Sequence, residues 1–372
     1  MQRGKKRNRQ LDVWVGTPLL NLIATVRRKR AQVPLAPKRI GVMCSPALGD
    51  TLLFSAALQD VRAAFPQAHI VHFCMKQNLA AAEIIPGADE RVVISLTQPV
   101  ATIKAMRAAR VDVLLDSTSW QRLTAFYTMM SGAKFTLGFA TAGQKRSRGY
   151  DRTVEHRADR HEVENFRALL AGSGLTIPTG HQPAICVGPV DEMPFAAERD
   201  IVALHLWASG QRSWLREWPE DRWSKLARRL AGPDTLFLIT GAPSDRPRTD
   251  EFVARLRAVG VRCEPFVSPD GFRTLTHVLR QARVVVCVNT GVMHLAAIAG
   301  APTVAINGPN RNGRWGPIGP RAVGVEAPGD DCGYLHLGFE FDGRPSNCME
   351  RTTVDDVYAA VEALLGETVG AR

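Results

Sequence analysis

The chain has 372 residues, 45% of them hydrophobic and 22% charged, with a formal net charge of +11. That length suits two domains, each able to bury its own core. Residues 1–30 hold nine Lys or Arg against one Asp, a net +8, so the rest carries only +3 and a basic, nucleic-acid-binding body is not indicated. No apolar run is long enough to span a membrane, and no signal peptide is evident.

Residues 1–10 are basic and polar and read as disordered. Thr17 and Pro18 then open a short apolar helix, preceded by Trp14 and closed by Arg27-Arg28-Lys29-Arg30. Apolar, too short to span and flanked by basic clusters, this segment predicts an interfacial anchor on an anionic membrane surface. The competing reading is a helix packed on its own domain with its charges in water. On the anchor reading, the body from Arg39 onward folds without residues 1–33, beyond a Pro34–Pro37 linker.

Strands are predicted at Arg39–Ser45, His69–Cys74, Arg91–Ser95, Val111–Asp116 and Phe135–Phe139, with helices between them. Gln144–Arg160 is basic, lacks periodicity and reads as a loop near a ligand cleft. His161–Leu170 reads as a helix and Pro178–Pro194 as a Pro- and Gly-rich linker. The boundaries expected are an arm and linker at 1–37, a first domain at 38–185, a linker at 186–198 and a second domain at 199–372.

The second domain repeats the alternation, with strands at Ile201–His205, Thr235–Thr240, Arg262–Val267 and Val284–Val288. Its centre is Asn289–Gly300, the predicted helix of a β-α-β unit. Asn289 or Thr290 is placed to cap that helix and Gly300 to close it. Val292, Leu295, Ala296 and Ala299 form the expected sheet-facing stripe, with Thr290 and His294 on another face near the N-terminus. Free N–H groups and the positive dipole end attract an anion there. The alternative is a capped core helix with a solvated His.

Asp50 follows the first strand and a Gly-containing turn, where it serves either as a general base or as a helix cap. Ser209–Pro219 holds Arg212, Arg216, Trp214 and Trp218; an Arg there suits a diphosphate. Asn310–Gly319 is a Gly- and Pro-rich loop expected beside the anion site. Neither a Walker loop nor a G-x-G-x-x-G follows the first strand, so P-loop and nicotinamide chemistry are disfavoured and no cofactor is expected. The seven cysteines form no C-x-x-C pair, which argues against structural zinc and fits a reducing cytosol.

Taken together, Gly49-Asp50, the R-x-W-P of Arg216, Trp218 and Pro219, N-T-G-V-M-H from Asn289, R-W-G-P-x-G from Arg314, and Cys348-Met349 resemble glycosyltransferase family 9, the ADP-heptose lipopolysaccharide heptosyltransferases. The resemblance runs from about residue 38 to the end. It implies a GT-B α/β fold, two Rossmann-like domains facing each other across a cleft. It implies inverting, metal-independent transfer from a nucleotide-sugar, ADP-heptose, to an anionic lipid-linked acceptor of lipopolysaccharide-core type or another surface glycan. Residues 1–30, outside the resemblance, are read from their own composition as the contact with the cytoplasmic face of the inner membrane. By match, Asp50 is the base; Arg216, Thr290, Gly291 and His294 hold the diphosphate; Asp245 lies near the nucleoside. Asn289 stands where the family usually has Asp. A GT-B sugar-nucleotide epimerase and a non-catalytic, membrane-bound sugar-nucleotide binder are the alternatives.

Overall fold

The computed structural model describes Gln10 and residues 12–366. The disorder expected for residues 1–10 thus falls, Gln10 apart, outside the described residues. Two compact units meet at Cys186–Val187.

The first unit is built on strands β1 (Arg39–Met43), β2 (His69–Met75), β3 (Glu90–Ile94), β4 (Val113–Asp116), β5 (Phe135–Thr141) and β6 (Arg152–His156). All pair in parallel, in the order β3-β2-β1-β4-β5-β6. Central strands such as Ile40-Gly41-Val42-Met43 are buried throughout, because helices cover both faces of a parallel sheet. Strand β6 corrects the reading of Gln144–Arg160 as one loop. Arg-Thr-Val-Glu-His has a single apolar residue, and an edge strand with most of its residues half-buried shows no apolar run.

The second unit repeats the pattern with β7 (Ile201–His205), β8 (Leu236–Thr240), β9 (Cys263–Phe266), β10 (Val284–Val288), β11 (Thr303–Asn307) and β12 (Ala322–Glu326). Its order, β12-β11-β10-β7-β8-β9, is that of the first sheet read from the other edge. Each unit is therefore a doubly wound Rossmann-like layer, the GT-B class of fold.

The N-terminal segment overturns the expectation of a detachable arm. The Asp12 carboxylate accepts from the backbone N–H of Arg122 (2.9 Å) and Leu123 (2.9 Å), at the start of the helix Arg122–Met130. That is a cap supplied from outside the helix. Leu20 is 1% exposed and packs with Leu123, Tyr127 and Tyr150 in the first unit's core. Arg27 pairs with Asp151 at 2.8 Å. Removing residues 1–33 would take Leu20 from that core and Asp12 from that helix end. The body does not stand free of this segment. An anchor helix and a packed helix share one periodicity, so spacing alone could not separate them.

A second correction concerns the cysteines. Cys332 and Cys348 form a disulfide, with Cα atoms 5.8 Å apart. Their sixteen-residue separation resembles no spaced motif. What joins them is a small buried cluster with Leu215, Tyr334, Leu335 and Phe341.

Candidate functional site

In each sheet the chain reverses direction of winding between its first and fourth strands, β1 and β4 or β7 and β10. Ligands of doubly wound sheets bind beyond the strand C-termini at such reversals. Asp50 follows β1. Arg216 follows β7, and Asn289, Thr290, Gly291 and His294 follow β10. Each lies on a segment leaving one of these two points.

Asp50 is 4% exposed and sits in the first turn of the helix Leu48–Ala64. The capping position there belongs to Ala47, which has no side-chain oxygen. The turn beneath is held by Asn78, whose amide donates to Ser45 O at 3.1 Å and Thr51 Oγ1 at 2.9 Å. Cys44 Sγ lies 3.3 Å from His72 Nε2. This pair is no nucleophile: burial pushes the Cys44 thiol up to about 12 and His72 down to about 3, so both are neutral.

In the second unit the helix Gly291–Ile298 begins at Thr290, an extended N-cap residue whose side chain makes no cap bond. Thr290 Oγ1 is shielded from solvent and has no hydrogen-bond partner among the described residues. The first-turn N–H groups of a helix also lack acceptors within it. An anion seated there would satisfy both. His294 is buried at 3% exposure, so the solvated-His alternative is removed. The buried apolar residues are Met293, Leu295, Ala296 and Ala297, with Met293 and Ala297 in place of the expected Val292 and Ala299. Gly300, with φ +82°, closes the helix as expected.

Asn289 does not cap. Its Nδ2 donates to Asn307 Oδ1 at 2.8 Å and to the Trp315 carbonyl at 2.9 Å. Asn307 in turn donates to Asn312, whose Nδ2 reaches Gly324 O at 2.7 Å. The amide thus ties the end of β10 to the loop Asn310–Gly319. The carbonyl of Trp315 only accepts, so residue 289 must bring a proton, which an ionised Asp lacks. Asn289→Asp, although it restores the family's usual residue, is therefore expected to cost roughly 1–3 kcal/mol. Urea denaturation of the variant against the parent checks this; equal stability would remove the strut.

The loop lies flush on the helix. A Cβ at Gly319 would sit 2.1 Å from the Ala297 carbonyl oxygen. Arg314 is buried, its guanidinium 4.0 Å from the Trp315 ring centroid, and both side chains donate to His336 O at 3.2 Å.

Arg216 ends the turn Ser213–Arg216 and donates to Ser209 O. Neighbouring Leu215 belongs to the disulfide cluster, which fixes that turn. Trp218 is buried, with Nε1 donating to Thr352 O at 2.9 Å, whereas Trp214 is 61% exposed. Asp245 follows β8, with β7 between it and β10. Its carboxylate accepts from Ala242 N–H at 3.0 Å and from Arg248 at 2.6 Å, so it closes its own turn. Arg248 also pairs with Glu217 at 3.0 Å and lies over the Trp207 ring.

One functional-edge cluster went unread in the sequence. Asp116, at the end of β4, and Arg146 are both fully buried and pair at 3.0 Å. Tyr150 donates to Asp116 Oδ2 at 2.6 Å, and Thr118 to Oδ1 at 2.6 Å. The Tyr150 ring occupies the space above Gly138, where a Cβ would meet it at 2.3 Å. This pins the basic loop at 142–149 to the first reversal point.

Comparison with known proteins agrees with this architecture. The family model for glycosyltransferase family 9 (heptosyltransferase) matches residues 100–333. A lipopolysaccharide heptosyltransferase 1 of Escherichia coli is 27% identical over 316 residues, covering 80% of this chain and 94% of the relative. The structure of E. coli ADP-heptose lps heptosyltransferase II aligns with a TM-score of 0.72 at 17% identity, over 89% of this chain and 99% of that one. E. coli heptosyltransferase WaaC with ADP-2-deoxy-2-fluoro heptose aligns with a TM-score of 0.62 at 23% identity, over 89% and 99%.

Proposed function

The chain belongs to glycosyltransferase family 9 (heptosyltransferase), and we propose that it moves a heptose from ADP-heptose to an anionic, lipid-linked acceptor of lipopolysaccharide-core type. The reaction is a single inverting displacement. Asp50 takes the proton of the acceptor hydroxyl as its oxygen bonds to the anomeric carbon. The bond from that carbon to the diphosphate oxygen breaks, and the nucleoside diphosphate leaves with the electron pair. The start of the helix Gly291–Ile298, the Thr290 hydroxyl, His294 and Arg216 meet the charge that develops on it. Asp245, engaged in its turn, shapes the nucleoside end.

The observation that carries this reading is the shielded, unpartnered Thr290 hydroxyl at an open helix N-terminus on the second reversal point. Support for ADP-heptose as donor comes from the ADP-heptose analogue bound to the E. coli enzyme above. Of ADP-, UDP-, GDP- and dTDP-sugars, ADP-heptose is expected to raise the melting temperature most, by mass action. Arg216→Ala and His294→Ala are each expected to weaken its binding by roughly 1.5–3 kcal/mol, the worth of a hydrogen bond to a charged group. Unchanged affinity in both variants would remove the diphosphate site. Product analysis separates transfer from the epimerase alternative: an isomerised sugar-nucleotide in place of a glycosylated acceptor overturns the transferase reading.

A further inference from the structure

The N-terminal segment buries one face and leaves the other unpartnered. Asp12, Gly16 and Leu20 are buried, whereas Trp14, Pro18 and Leu22 point outward. Trp14 is 77% exposed and Leu22 68%, and Val13 and Val15 beside Trp14 are also exposed. An outward stripe this apolar is unusual on a helix whose other side is already packed in a core.

The mounting is firm. Asp12 caps the helix Arg122–Met130, Arg27 pairs with Asp151, and the Arg30 backbone N–H donates to the same carboxylate at 3.0 Å. The Arg148 guanidinium donates to Asn21 Oδ1 at 3.1 Å, joining the segment to the loop after β5. Asn21, Lys145, Ser147 and Arg148 line an open hollow of about 370 Å³. That loop leaves the C-terminal edge of the first sheet, the edge on which Asp50 stands.

The surroundings carry one sign of charge. Arg28, Lys29, Lys145 and Arg148 are exposed. No Asp or Glu occurs from Ser117 to Tyr150, and the single acid of residues 1–30, Asp12, is buried. Five more Lys or Arg precede Gln10 in the sequence. A second copy of this face would be repelled by it. An anionic bilayer complements it in both respects, with lipid phosphates for the cations and the acyl boundary for a Trp and a Leu.

We propose that residues 12–30 and the loop 143–148 form a docking platform for an anionic lipid bilayer. Trp14 and Leu22 enter the interface, and lipid phosphates occupy the hollow between Lys145 and Arg148. The platform deepens the reading of a lipid-linked acceptor, since it lies on the edge from which Asp50 works. It is a property of the first unit, so it stands or falls separately from donor binding.

The test uses the full chain with sedimenting vesicles of neutral phosphatidylcholine, with and without phosphatidylglycerol. The parent is expected to sediment with the anionic vesicles at low salt, to be released as salt rises, and to ignore the neutral ones. The double variant Trp14→Glu with Leu22→Glu should lose at least about tenfold in partitioning, because two large side chains no longer bury. Both positions are exposed, so its melting temperature and ADP-heptose affinity should match the parent. Lys145→Glu with Arg148→Glu should bind weakly and lose most of the salt dependence. Undiminished vesicle binding by the Trp14 and Leu22 variant overturns the proposal. So does a parent that sediments with neither vesicle, or a parent dimer that this variant converts to monomer.

Discussion

Asp50→Asn is expected to slow heptose transfer by about 10²–10⁴-fold, the usual contribution of a positioned general base. Donor affinity should stay near the parent value, because Asp50 belongs to the first unit and the residues proposed to hold the diphosphate belong to the second. The substitution is nearly isosteric at a 4%-exposed position, so the loss should not come from unfolding. Initial-rate kinetics together with donor titration separate these effects. A variant with parental turnover would reduce Asp50 to a structural role, although Ala47 holds the capping position.

Arg146→Ala should cost about 3–5 kcal/mol, because removing one partner of a buried ion pair strands the other. Asp116 would be left at zero exposure with no cation and only the hydroxyls of Tyr150, Thr118 and Thr128 and the Thr118 N–H to bond it. That is a large share of the 5–15 kcal/mol stabilising a typical domain. The loss should appear in the first unit's unfolding transition and spare the second, which scanning calorimetry resolves as two separate heat-absorption peaks. The loop 142–149 would lose its tie to Thr118 and become sensitive to protease in the folded protein. A variant within about 1 kcal/mol of the parent would show the pair to be dispensable.

Much of the fold was legible because buried parallel strands announce themselves. Val284–Val288 and Ile201–Leu204 are unbroken apolar runs, and both lie in central strands. The edge strands β6 and β12 carry mixed residues and half-buried faces, so neither produced a run to read. The placement of Asp50 and Thr290 after strands followed from motif order. Two features did not. Asp116 and Arg146 are thirty residues apart and meet only because β4 and β5 are neighbours. Asn289 was visible as a departure from the family's Asp, yet its reason, a carbonyl that must be given a proton, exists only in three dimensions.

The contact between Gly319 and the Ala297 carbonyl also bears on motion. A segment that opens and shuts over a ligand needs a hinge with few ties and slack against its neighbours. The stretch from Asn310 to Gly319 has neither. It is fastened near its middle through Trp315 to Asn289, and at its far end it touches helix backbone with no room for a methyl group. It therefore behaves as a fixed wall joined to the helix that starts at Gly291. Donor arrival should leave its amide-exchange rates unchanged relative to that helix, and any closing movement must come from another part of the chain.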